Sequence, residues 1–242
     1  MIEFGARSEP DAWLSAQLGR PALRVTMTNG VGDPDLTRRL SEEAIFATTK
    51  LPADAVAACV AAQNLGFRLI DTNLLFARDD EKMPTSFGDV RTAQSDDVSA
   101  VTDLARRAFG YTRFHLDPSI PSSVAANIKG AWAANFFTGA RGDAMLVAEL
   151  QGVIAGFLLA LWADERWTID LIAVAPEARG SGIGRALVAA LNKLAYGGKC
   201  ATSIHAGTQA ANRESLAFYA RLGFRVVAAT YVLHHHGRHA SY

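Results

Sequence analysis

Six consecutive residues, Arg179-Gly180-Ser181-Gly182-Ile183-Gly184, have the composition of a phosphate cradle. Glycines at three of the six positions leave no Cβ in the way of an approaching anion. Backbone N–H groups at the start of a helix are unpaired and carry partial positive charge, so a turn of this kind feeding a helix holds phosphate. The spelling is not a Walker loop, which needs Gly-Lys-Ser/Thr, because Arg185-Ala186 follows Gly184. Nor is it a dinucleotide fingerprint, since the place of the third glycine is taken by Arg185. Other residues able to do acid–base work are scattered. His115 and His205 titrate near neutrality, and His205 is expected as a hydrogen-bonded core histidine on a strand. His234, His235 and His236 would point to alternate faces of a strand. The three therefore do not make one metal site, and a solvated tail with no metal is expected.

The elements around the glycine turn can be read from the same stretch. Asp170-Leu171-Ile172-Ala173-Val174 is an apolar run suited to a buried strand, and Pro176 ends it. After the turn, Leu187, Val188, Leu191 and Leu194 recur at helical spacing.

Upstream, the first 40 residues carry weak signals: a strand over 22–27, a turn-rich stretch over 30–34, and a short helix or loop over 35–43. A strand over 44–50, a helix opened by Pro52-Ala53-Asp54 and closed by Gly66, and a strand over 67–78 make a βαβ unit with parallel strands. The charged segment 79–86 reads as a linker. This divides the chain into a small α/β domain over 1–80 and a second domain over 88–238. The second domain reads as a short strand over 90–93, a helix from Ser95 or Asp96 to Phe109, an aromatic loop over 110–118, and a helix from Pro121. That helix carries Val124, Ile128, Trp132 and Phe136 on one face. Strands over 145–149 and 153–162 join through Gln151-Gly152 as an antiparallel hairpin, and Asp164-Glu165 turns into the motif strand. A strand over 201–206, a helix over 212–222 closed by Gly223, and a strand over 224–233 complete the order β-α-α-β-β-β-α-β-α-β. The fold class is α/β with a mixed sheet.

Composition narrows the function classes. Of 242 residues, 24 are Lys or Arg and 24 Asp or Glu, so the net charge is zero and neither nucleic acid nor an acidic surface is indicated as a partner. Cys59 and Cys200 have no ligand-like spacing, and no apolar run reaches the roughly 18 residues a membrane span needs. The acidic, polar N-terminus is unlike a signal peptide, and a reduced, cytoplasmic protein without disulfides is expected.

The Arg-x-x-Gly-x-Gly spelling after Ile172-Ala173-Val174-x-Pro176-Glu177 resembles the pyrophosphate motif of the GCN5-related N-acetyltransferases, which use acetyl-CoA. The resemblance covers about residues 88–237 and includes Asn212…Tyr219-x-x-x-Gly223-Phe224. It implies that Arg179 to Gly184 hold the pyrophosphate, that the backbone of Ile172, Ala173 and Val174 lies along the pantetheine, and that Asn212 bonds the pantetheine arm. In such chemistry an amine loses a proton and attacks the thioester carbonyl, an oxyanion is held, and the thiolate regains a proton. Tyr219, two helical turns from Asn212 on the same face, is placed to supply that proton. Asp170 on the motif strand is a candidate for accepting the amine proton, with a salt-bridged strand residue as the alternative.

A narrower similarity, to the dTDP-fucosamine acetyltransferase group, rests on three stretches: Gly66-Phe67-Arg68-Leu69-Ile70-Asp71, Arg113-Phe114-His115 with Asp117-Pro118 and Ile120-Pro121, and Trp132 with Asn135. It implies an acidic residue at Asp71 that takes the amine proton through water, aspartate here where the group has glutamate. It also implies that Arg113, Phe114 and His115 face a nucleotide-linked amino sugar. The expected activity is acetyl transfer from acetyl-CoA to a small-molecule amine, in a chain that would also be compatible with a homodimer. A peptide amine as acceptor, and a non-catalytic acyl-CoA-binding module, are the alternatives.

Overall fold

The computed structural model describes residues 4–30, 32–79, 89–197 and 201–237. The chain runs through β1 (Phe4–Pro10), α1 (Ala12–Leu18), β2 (Ala22–Asn29), α2 (Pro34–Glu42), β3 (Phe46–Pro52), α3 (Val56–Asn64) and β4 (Arg68–Arg78). It continues through β5 (Asp89–Thr92), α4 (Val98–Ala108), α5 (Ser122–Ala134), β6 (Ala144–Leu150), β7 (Val153–Ala163) and β8 (Arg166–Val174). Last come α6 (Ile183–Gly197), β9 (Ser203–Gln209), α7 (Arg213–Arg221) and β10 (Arg225–His236).

All ten strands share one mixed sheet in the order β1-β2-β3-β10-β4-β9-β8-β7-β6-β5. From β5 onward the element order is the expected one, and the expected hairpins form. Gln151 and Gly152 both take positive φ (54° and 77°), as do Asp164 and Glu165 (49° and 57°), the geometry of tight antiparallel turns. The βαβ unit has its expected direction with an added strand. β3 and β4 both pair antiparallel with β10, so they are parallel to each other with β10 between them.

β1 and α1 extend the sheet's first edge, where the sequence had shown little. Asp11 caps α1, its carboxylate accepting from the N–H of Leu14 at 2.9 Å. The expected linker lies at 79–86, of which only Asp79 is among the described residues. Strands from before it (β3, β4) and after it (β10) are neighbours in the sheet.

The largest apolar core packs α4 and α6 on strands β5 to β9, with Val101, Leu104, Leu187, Val188 and Leu191 against Phe157, Leu158 and Leu159. A second core gathers Leu36, Leu40, Phe67 and Leu233. A third joins Leu14 and Leu18 of α1 to Phe46, Phe114 and Ile128. That third core draws the first strands, the 110–120 loop and α5 together, and it sets the wall of the site described next.

Candidate active site

The glycine turn forms as its sequence requires. Gly180 and Gly182 have φ of 81° and 89°, a region that disfavours any residue with a Cβ. Ser181 Oγ donates to the carbonyl of Ala178 at 2.6 Å and holds the turn closed. α6 begins at Ile183, whose side chain is buried in the core while the helix's first N–H groups lack partners within the helix.

The strand leading into the turn leaves a gap beside it. β8 and β9 pair in parallel only from Arg166 opposite Ser203 to Ile169 opposite Ala206. Both strands run on, to Val174 and Gln209, without a ladder between them. A cavity of about 500 Å³ opens there. Ile172, Ala173 and Val174 form one wall, Arg179 and Gly184 its end, and Asn212, Ser215 and Phe218 of α7 the other wall, with the 107–112 loop across from them. Asn212 caps α7 by accepting from the N–H of Ser215 at 3.1 Å, which leaves its amide donors for a ligand. Arg179 reaches the carbonyl of Ala108 at 3.4 Å. The residues present therefore fit a pantetheine lying along an unpaired strand edge, with its pyrophosphate at the helix start.

Tyr219 is 3% exposed and packed against Phe76, Phe218 and Phe224 at ring separations of 5.3–5.6 Å. Phe218, not Tyr219, lines the cavity at that turn of α7. Burial pushes the Tyr219 phenol well above its ordinary range, so it stays protonated.

A second cavity, of about 620 Å³, lies beyond the first. Thr112 lines the first and Arg113 the second. Asp71 lines neither cavity but neighbours residues of both: Gln209, on the first cavity's wall, hydrogen-bonds its carboxylate, while Lys50 and Arg113 of the second act on it electrostatically. Asp71 is 5% exposed, and its Oδ2 has no hydrogen-bond partner. Burial pushes its carboxyl up to about 6, against the pull of the Thr72 N–H, Gln209, Lys50 and Arg113. A carboxylate with one free oxygen that titrates just below neutrality suits a proton acceptor.

The other sequence-derived candidates separate. Asp170 takes the alternative reading, the salt bridge. Arg141 Nε and an Arg141 terminal nitrogen bond its two oxygens at 2.5 and 2.6 Å, and Trp132 Nε1 donates at 2.8 Å. Arg113 faces the second cavity, its guanidinium donating to Thr48 Oγ1 at 2.8 Å. Phe114 does not face a ligand. It is 1% exposed in the third core, because the loop turns its ring inward under Phe46 and α5. His115 bonds Thr112 through Nδ1 at 2.7 Å, and burial, with Lys129 nearby, lowers its pKa. The 234–236 segment is no solvated tail. β10 runs to His236, and Asp117 Oδ2 accepts from His234 Nδ1 at 2.7 Å and His236 Nε2 at 2.8 Å. Residues i and i+2 share a strand face, so two of the three histidines converge while His235 turns to the carbonyl of Leu40.

Several residues of the site carried no sequence signal. Lys50 lies within β3, Trp13 lies in the poorly read N-terminal stretch, and Gln209 ends β9. Each gains meaning only from neighbours distant in sequence. Lys129 is another: its Nζ is 4.3 Å from the ring centre of Trp132, on the second cavity, and 5.4 Å from that of Phe109, on the first.

Comparison with known proteins agrees with this geometry. The model of the acetyltransferase (GNAT) family matches residues 99–224. The spore coat polysaccharide biosynthesis protein SpsD of Bacillus subtilis is 28% identical over 242 residues, covering 93% of this chain and 81% of that protein. Among solved structures, a tandem GNAT protein from the clavulanic acid biosynthesis pathway superposes with a TM-score of 0.61 at 17% identity, over 90% of this chain and 76% of that one. A GCN5-related N-acetyltransferase from Sphaerobacter thermophilus gives 0.59 at 16% identity, over 89% and 73%.

Proposed function

Because the chain belongs to the acetyltransferase (GNAT) family and is an acetyl-CoA-dependent N-acetyltransferase, we propose that its acceptor is the amine of a nucleotide-linked amino sugar. The observation that carries this reading is the position of Asp71 between two cavities, one built for the acyl donor and one large enough for a sugar nucleotide. The relation to a polysaccharide biosynthesis protein along nearly the whole chain supports a sugar acceptor. The walled second cavity suits a small molecule better than a peptide laid in an open groove.

Acetyl-CoA supplies the activated acyl group, and the residues of the chain do the rest. The turn and the α6 N–H groups hold its pyrophosphate, and the unpaired edge of β8 aligns its arm. The free oxygen of Asp71 accepts the proton of the attacking amine, directly or through one water, while Gln209 fixes the other side of the carboxylate. Tyr219 returns a proton to the departing thiolate. Its phenol lies one residue past Phe218, which lines the donor cavity, and burial keeps it protonated, so it holds a proton to give.

The direct test is free-thiol release with acetyl-CoA and a panel of dTDP-linked and other nucleotide-linked amino sugars, peptides and polyamines. Release with amino-sugar nucleotides and not with peptides is the expected result. Release with peptides alone would replace the sugar by a protein acceptor.

A further inference from the structure

Three cations without an ion-pair partner among the described residues meet at the second cavity, which Arg24, Arg141 and one carboxylate, Asp11, also line. Lys50 and Arg113 line it, and Lys129 stands over Trp132 on its wall. None of the three forms an ion pair among the described residues; the polar bond of Arg113 is to the hydroxyl of Thr48. The nearby acids have other partners or act on the cations without pairing with them. Asp170 is gripped by Arg141, Asp11 caps α1 and meets Arg24 at 3.6 Å, and Asp71 titrates near 6.

The crowding acts on the cations themselves. Burial, with Arg113 and Arg141 nearby, lowers the ammonium of Lys50. Burial pushes that of Lys129 down to about 7, Asp170 opposing and the other three cations adding to the effect. Desolvated like charges destabilise a fold unless something relieves them. Beside them, Trp13 and Trp132 meet edge to face at 5.6 Å on the same cavity, with Arg141 4.6 Å over the Trp132 ring.

We propose that Lys50, Arg113 and Lys129 form a subsite for the phosphates of the acceptor, with Trp13 and Trp132 as the wall for its ring system. This rests on the nucleotide-linked amino sugar reading. It makes the phosphates, not the sugar, the part by which the acceptor is recognised. Arg113 offers a planar fork to paired phosphate oxygens, and the two lysines act as point charges. The first 52 residues thereby contribute Trp13 and Lys50 to acceptor choice.

The experiment uses the full chain with two readouts. Calorimetry with dTDP reports the subsite without chemistry. Turnover on a free amino sugar, its 1-phosphate and its dTDP ester reports preference. Wild-type protein should bind dTDP. Lys50→Gln and Lys129→Gln should each weaken that binding at least tenfold and reduce the preference for phosphorylated over free acceptor by a similar factor. Their acetyl-CoA affinity should move less than twofold, and Lys50→Arg should restore dTDP binding. Unchanged dTDP affinity in both glutamine variants overturns the proposal. So does a parallel loss of acetyl-CoA affinity, which would assign the cations to the donor's phosphates. If the variants lose dTDP binding while no amino sugar is acetylated, the subsite stands and the acceptor reading falls. If wild-type protein acetylates free and nucleotide-linked sugars equally well, the subsite falls and the sugar reading stands.

Discussion

Arg141 holds Asp170 through two bonds, at 2.5 and 2.6 Å, so both oxygens of the motif strand's acid are engaged. Asp71, with an oxygen lacking a partner, is left as the carboxylate between the cavities. The two make opposite predictions. In Asp71→Asn the turnover number should fall about 100-fold or more, and the rise in rate with pH centred near 6 should disappear. In Asp170→Asn that rise should persist, whatever the loss in rate. Steady-state pH profiles of the two variants decide between them.

Asp71 also marks the stability of the protein. Its carboxyl is raised above the unfolded value, so between pH 4 and 6 the folded state binds more protons than the unfolded state. Stability therefore falls as pH rises through that window. The size of the effect is at most about 3 kcal/mol. Urea unfolding of wild type and Asp71→Asn at pH 4, 5, 6 and 7 should give a difference that grows up to pH 6 and is then flat.

Tyr219→Phe keeps the ring packing with Phe76, Phe218 and Phe224 and deletes only the hydroxyl. The turnover number should fall about 100-fold, while acetyl-CoA affinity by calorimetry is unchanged. A non-catalytic binding module would show no loss in any transfer assay because it would have no activity to lose.

Gly182→Ala places a Cβ on a residue with φ of 89°. Strain of about 1–2 kcal/mol is expected from the left-handed conformation. A turn that relaxes to avoid it no longer aims its N–H groups at one point. Acetyl-CoA affinity should drop at least about tenfold, an energy of about 1.4 kcal/mol, with a lowered Tm. Loss of Tm with full affinity would count against the turn as the phosphate cradle.

Asp117→Ala strips the shared acceptor from His234 and His236, leaving two imidazole N–H groups orphaned near Phe46 and Phe114. A loss of about 3 kcal/mol follows, read as a lower urea midpoint at pH 7. In the wild type, hydrogen bonds from both histidines hold the Asp117 carboxyl below the usual range despite its burial, a contribution present above pH 4 and lost in acid.

Local pattern carried much of this molecule in the sequence. The motif strand, the glycine turn, α6, both tight hairpins and α7 each depend on residues within about fifteen positions of one another, and each stands where periodicity and turn chemistry put it. What escaped depends on distance along the chain. β1 and α1 are seven residues each, too short to show a clear period, and they are fixed by pairing to β2 and packing on α5. Phe114 reads as an exposed loop aromatic until Phe46 covers it. His234 and His236 gain a partner only from a residue more than a hundred positions earlier. Lys50 becomes part of a site once the Arg113 loop arrives beside it.

The place of β10 governs how the protein comes into being. During synthesis β3 and β4 are made well before β10, the strand that bonds an edge of each. Until β10 is made the nascent chain carries two unsatisfied strand edges, a state prone to wrong pairing. The sheet around β3 and β4 is thus completed only after β5 to β9 have been made, although it precedes them in the chain.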